Sequence, residues 1–156
     1  MAKKTKTPAW LTTFLLRVAG GINYRKLVKA SKNPQQASEA TLRGILSYGK
    51  DTEFGQEHDF EYILAAKDDK ELYKRYAEKI APSDYEDYRP YIERHKNGDS
   101  NVLVPGKPVM YATTSGTTNE PKWIPITDVY LKNVYGKMTK VWLYNYIMNR
   151  PKAFYG

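Results

Sequence analysis

The sequence predicts a helix-rich α/β chain with too few strands for a complete doubly wound sheet. Three observations predict it. Apolar residues recur at helical spacing in five separate segments. Only Val109–Ala112 and Trp123–Ile126, with Val102–Val104 as a third candidate, read as short strands. Between the two clear strands lies a run of small hydroxylated residues with an interior glycine, Thr113 to Thr118, followed by Asn119, Glu120, Pro121 and Lys122.

The first element is a short amphipathic helix. Thr7 and Pro8 supply a cap and a first helical residue, because proline lacks only a donor that the first turn leaves unpaired. Trp10, Leu11, Phe14, Leu15 and Val18 share a face, and Gly20 with Gly21 is expected to end the helix. Residues 1–9 read as a flexible basic arm and 10–156 as one unit, a truncated N-terminal portion of a larger domain. The apolar run is interrupted by Thr12 and Thr13 and closed by Arg17 with no small-residue cleavage site, so processing as a signal peptide is not expected. It is also far short of the ~20 apolar residues of a transmembrane helix.

Asn33 and Pro34 open a second helix that carries Ala37, Leu42, Ile45 and Leu46 inward and ends at Gly49. Asp51 to Phe60 is a polar connection pinned by Phe54 and Phe60. Asp68 and Asp69 start a charged helix whose Leu72, Tyr73 and Tyr76 face inward. Ser83 and Glu86 form a capping box for a fourth helix with Tyr85, Tyr88, Ile92 and His95 on one stripe, stopped at Asn97–Gly98. An aromatic stripe of this kind packs against a neighbour or stacks bases; the interleaved arginines of a base-stacking strand are missing. Thr127 and Asp128 cap a long last helix to about Asn149, with Leu131, Val134, Tyr135, Met138, Val141, Trp142 and Tyr146 along one continuous apolar face. Part of so wide a face expects a partner, and self-association of this chain would follow.

Composition narrows the function. The chain has no cysteine, which excludes disulfides, thiolate metal sites and a cysteine nucleophile. Its two histidines, His58 and His95, stand apart and form neither a metal pair nor a triad, so no catalytic and no metal-ligating residue is assigned. The net charge of +8 suits an anionic partner or a soluble surface. Much of the excess sits in Lys3, Lys4 and Lys6 and in Arg25 to Lys32, and the rest is interspersed with acids.

The loop at 113–122 has the makings of a phosphate site. Gly116 lets backbone amides approach, Thr114, Ser115, Thr117 and Thr118 offer hydroxyl donors, and Lys122 offers a positive charge. Nothing in it withdraws a proton at neutral pH, so it binds and orients. Pro121 rules out a Walker loop, and a single glycine rules out the dinucleotide fingerprint.

The order T-S-G-T-T-N-E-P-K at Thr114–Lys122 resembles the phosphate-binding signature T-S-G-T-T-G-x-P-K of the adenylate-forming superfamily, of acyl-CoA synthetases and luciferases, departing only at Asn119. Asn tolerates positive φ better than other non-glycine residues, so the backbone can keep its path there. T-E-F-G-Q-E-H-D-F at Thr52–Phe60, Y-E-D-Y-R-P-Y-I-E-R at Tyr85–Arg94, N-V-L-V-P-G-K-P-V at Asn101–Val109 and K-W-I-P-I-T at Lys122–Thr127 narrow the likeness. Together they resemble the N-terminal part of the auxin-responsive acyl-acid–amido synthetases, in bacterial form.

That resemblance implies the incomplete first part of a firefly-luciferase-like large domain. It implies a cytoplasmic ligase that adenylates a carboxylic acid with ATP and magnesium and then joins it to an amino acid. Thr114, Ser115, Gly116, Thr117, Thr118 and Lys122 would hold the phosphates, while the magnesium ligand is expected outside this chain. The chain alone is then expected to be inactive. The alternative is a basic, helix-rich module for nucleic acid or anionic membrane; on the first reading no nucleic acid is a partner.

Overall fold

The structure is a computed structural model and describes residues 8–115 and 120–150. It divides into two units, Gln35–Asp128 and a second made of Met1–Pro34 with Val129–Gly156.

In the first unit, α2 (Pro34–Gly49), α3 (Glu53–Glu57), α4 (Phe60–Leu64), α5 (Asp69–Lys79) and α6 (Tyr85–Lys96) precede β1 (Met110–Thr113) and β2 (Trp123–Ile126). Its core is small and closed. Leu46, Phe60, Ile63, Ala66 and Leu72 are buried together, with Leu42, Phe54 and Tyr76 packed around them. Each fully buried leucine or isoleucine contributes about 1.5–3 kcal/mol through burial. Tyr73, expected inward, is exposed; Leu72 and Tyr76 at i and i+4 already occupy the buried stripe of α5.

The stretch between α2 and α4 is more ordered than a polar connection. Thr52 caps α3 by accepting from the Gly55 amide at 3.0 Å and donating its hydroxyl to Gly49 at 2.6 Å. A Cβ on Gly55 would lie 2.1 Å from the Gly49 carbonyl oxygen, so only glycine allows α3 this close to the end of α2. Arg43 donates to the carbonyls of Leu64 and Ala66 at 3.1 and 3.0 Å, satisfying acceptors at the end of α4.

Two local expectations change at α6. The capping box exists but sits one residue later: Asp84 is the N-cap and Asp87 reaches back to its amide at 2.8 Å. Ser83 is hydrogen-bonded to the Tyr88 hydroxyl instead. Val102–Val104 is not a strand. Asn101, at φ 58°, accepts from the Gly106 amide through Oδ1 and returns its own amide to the Gly106 carbonyl. The backbone is thereby closed on itself, and the Leu103 and Val104 amides turn to Nε2 of His95, away from any strand partner.

In the second unit, α1 (Ala9–Ser31) packs on α8 (Gly136–Asn149), which is preceded by a short α7 (Asp128–Tyr130) and a π-helical segment, Leu131–Tyr135. Here α1 runs 23 residues, straight through the Gly20–Gly21 pair expected to stop it. A Cβ at Gly20 would lie 2.5 Å from the Tyr144 Cβ and 2.6 Å from the Lys140 carbonyl oxygen. The glycines mark the crossing point of two helices, and tertiary packing outweighs their poor propensity of about 1 kcal/mol each. The rings of Tyr24 and Tyr144 meet beside it at a tilt of 34°, their centres 5.3 Å apart.

The last helix spans the expected residues, but its apolar face is not uniform. Val141 and Ile147 are buried, whereas Tyr135, Met138 and Trp142 keep 52–65% of their surface exposed. A π-helical turn shifts the phase of the following residues, so a constant helical period misplaces them. Among the described residues no helix is long and apolar enough to cross a membrane.

Candidate functional site

The strands β1 and β2 pair antiparallel, with Met110 opposite Ile126 and Thr113 opposite Trp123. This hairpin carries the hydroxyl-rich loop. The neck is closed by two bonds between two of the residues expected to bind phosphate: the Thr114 amide donates to the Lys122 carbonyl, and the Lys122 amide donates to the Thr114 hydroxyl oxygen, both at 3.2 Å. Thr114 Oγ1 is thus fixed at the mouth and retains its own proton to donate. Ser115 is exposed beside it. Gly116, Thr117 and Thr118 lie outside the described residues, as does Asn119.

The side of the loop leading into β2 lies against α6. The Tyr85 hydroxyl accepts from the Trp123 amide at 2.7 Å and donates toward the Trp123 carbonyl at 3.3 Å. Lys122 Nζ stands 5.3 Å from the centre of the Tyr85 ring and the Arg89 guanidinium 5.0 Å from it, both within cation–π range. Arg89 grips Glu86 at 2.6 and 2.9 Å and reaches Glu120 at 3.4 Å. These bonds hold the Glu86 carboxyl below the usual carboxylate range, and the charge of Lys122 acts in the same direction. The ammonium of Lys96 lies 4.5 Å from the Trp123 ring centre. The neighbourhood of the neck therefore gathers three cations, two acids and exposed hydroxyls, and suits an anion with several oxygens.

Sequence reasoning missed Tyr85, Arg89, Lys96 and Glu120 as parts of this neighbourhood. Tyr85, Arg89 and Lys96 lie at i, i+4 and i+11, a stripe that the apolar reading of Tyr85, Tyr88, Ile92 and His95 hid.

His95 is a structural residue. It is 4% exposed, donates from Nδ1 to the Asp99 carbonyl at 3.1 Å and accepts at Nε2 from the Leu103 and Val104 amides at 3.0 and 3.2 Å. Burial pushes its pKa down, and two amides aimed at Nε2 leave no place for a second proton. A separate depression of about 270 Å³ is lined by Phe54, His58, Ser83, Asp87, Tyr88 and Tyr91, among others, none of them from the loop. Among the described residues no cluster of three or more His, Cys, Asp or Glu side chains could hold a metal.

Among the described residues the chain is a helix-rich scaffold that presents a two-stranded hairpin. Comparison with known proteins gives the family: the GH3 family N-terminal domain matches residues 23–155, and the chain belongs to that family. It is 36% identical over 90 residues to a probable indole-3-acetic acid-amido synthetase of Oryza sativa subsp. japonica, covering 56% of this chain and 18% of the relative. It is 33% identical over 100 residues to the Arabidopsis thaliana indole-3-acetic acid-amido synthetase GH3.5, covering 63% and 15%. A jasmonoyl–L-amino acid synthetase of Oryza sativa subsp. japonica is 31% identical over 104 residues, covering 65% and 17%. The chain thus spans less than a fifth of the length of these relatives. No solved structure matches it significantly.

Proposed function

We propose that this chain is the N-terminal part of an ATP-dependent ligase that activates a carboxylic acid and conjugates it to an amino acid. The observation that carries this reading is the neck of the hairpin loop, where Thr114 and Lys122 bond to each other at the base of a hydroxyl-rich segment. The relatives named as amido synthetases of indole-3-acetic acid and jasmonoyl amino acids supply the reaction class. We assign the chain to the bacterial form of the family and to the adenylate-forming superfamily, which its quoted stretches resemble, and we place it in the cytoplasm.

In the first step a carboxylate oxygen attacks the α-phosphate of ATP and pyrophosphate leaves. In the second, an amine nitrogen attacks the acyl carbon, AMP leaves, and the nitrogen gives up a proton. The loop's part is electrostatic: hydroxyls of Thr114, Ser115, Thr117 and Thr118, amides around Gly116 and the Lys122 ammonium receive charge that builds on the phosphate oxygens. Magnesium would supply further charge neutralisation when bound, through a ligand that the family resemblance puts outside this chain.

Carboxylate-dependent exchange of pyrophosphate into ATP, measured on the protein at its full gene length, tests the reading. Thr117→Ala is expected to lower the exchange rate by about 10²-fold, the scale for losing one preorganised donor to a developing charge. Unchanged exchange would remove the loop from the reaction. Steeply salt-dependent retention on DNA or anionic vesicles, without exchange activity, would favour a basic binding module instead.

A further inference from the structure

The side of the loop entering β2 is exposed and polar, yet residue after residue of it meets a side chain of α6. Arg89 reaches Glu120, the Tyr85 ring takes Lys122, the Tyr85 hydroxyl takes both backbone groups of Trp123, and Lys96 covers the Trp123 ring. The register explains the hydroxyl's role. Thr114 and Lys122 form a hydrogen-bonded pair, so by alternation the neighbouring pair Thr113–Trp123 is non-hydrogen-bonded, and the Trp123 amide and carbonyl point away from β1. Tyr85 stands where a further strand would stand and satisfies both groups with one oxygen.

We propose that Tyr85 is the positioning residue of the phosphate loop. Its hydroxyl pins the backbone that follows Lys122, its ring holds the Lys122 ammonium at the mouth, and Arg89 backs the ring while tethering Glu120. The inference rests on the phosphate-binding reading of the loop and adds to it the support that keeps Lys122 ready. A flexible lysine loses conformational freedom when it binds an anion, and a side chain held near its working position loses less. An exposed cation–π contact is weak, worth about a two- to fivefold preference, so an arriving phosphate can take the ammonium over.

The test uses the whole chain, inorganic pyrophosphate as the probe, and NMR at low ionic strength. In the unaltered chain pyrophosphate is expected to shift the Thr114 and Lys122 amides. Tyr85→Phe keeps the ring and removes the bonds to Trp123; Trp123 amide exchange should accelerate and pyrophosphate affinity fall by about three- to tenfold, the worth of a neutral hydrogen bond. Tyr85→Leu should weaken affinity further. In the Lys122→Ala background Tyr85→Leu should have a smaller effect than in the unaltered chain, because its ring acts through Lys122. A merely structural tyrosine would give additive losses.

If the unaltered chain shows no pyrophosphate response, the phosphate reading falls and this inference with it. If it responds but both Tyr85 variants bind equally well, or the double variant is additive, only the positioning role is overturned. Should Tyr85→Leu fail to fold, Tyr85→Phe and its Trp123 exchange rate decide.

Discussion

The two units bury their apolar side chains to different degrees. In Gln35–Asp128 a handful of them, Leu46, Phe60, Ile63, Ala66 and Leu72, are buried against one another. In the second unit Gly20 and Gly21 let α1 approach α8 closely at Tyr144 and only Val141 and Ile147 are buried apolar side chains among the described residues, while Trp10, Phe14, Tyr135 and Trp142 remain 58–65% exposed. The first unit rests on a buried apolar cluster, and the second adds a close glycine crossing to its few buried side chains. Mutations should therefore act on them by different rules.

The largest effect is expected from Ile63→Ala. Ile63 is fully buried, and truncating it should destabilise the first unit by about 2–5 kcal/mol, measured as a drop in the midpoint of urea unfolding followed by a probe within that unit. A loss below 1 kcal/mol would show that the core is loosely packed. Next comes a glycine pair. Gly20→Ala places a methyl group against Tyr144 and should cost about 1–3 kcal/mol by overpacking. Gly44→Ala on α2 meets nothing within 4 Å and should stabilise by about 0.5–1 kcal/mol through helix propensity. Calorimetric Tm values check both, and equal signs would break the case for a close glycine crossing.

A pH effect sharpens the same contrast, since it belongs to the first unit alone. The folded state holds His95 neutral, with a pKa below its ordinary value of 6.5. The unfolded chain therefore takes up the proton first as pH falls. The stabilisation is fully present above pH 6.5 and is lost progressively below it, toward the depressed folded pKa. His95→Gln should flatten the change in Tm between neutral and mildly acidic buffer; an unchanged slope would assign the effect to another group. The smallest effect is expected at Trp142→Ala. With 65% of its surface exposed, Trp142 should change the stability of this chain by only about 0.5 kcal/mol, whereas a cost like that of Ile63 would mean the face is covered.

Much of this was legible in the sequence, and the misses share a cause. Caps and apolar periods placed α2, α5, α6 and both strands, because those signals are local. Gly20–Gly21 read as a stop for the same reason: its worth depends on Tyr144, more than a hundred residues away, which no local rule sees. The capping box slipped by one residue because Ser83 and Asp84 are both good caps and the choice turns on which acid, Glu86 or Asp87, reaches back. At the candidate site, the residue types of the loop were visible, and so was the family likeness that the comparisons bear out. The support from Tyr85 and Arg89 was not visible, because a tyrosine that satisfies a strand edge has the same spacing as one that fills a core.

That strand edge limits how the hairpin can grow. Along the outer side of β2, Pro125 has no amide to offer and both groups of Trp123 are occupied by Tyr85. A strand added there would forgo bonds at two successive outward positions. The outer side of β1 offers Tyr111 and Thr113 with their donors in place. Any sheet that incorporates this hairpin is thus directed to extend past β1, leaving the loop's α6-facing side at the margin, where a ligand can reach it.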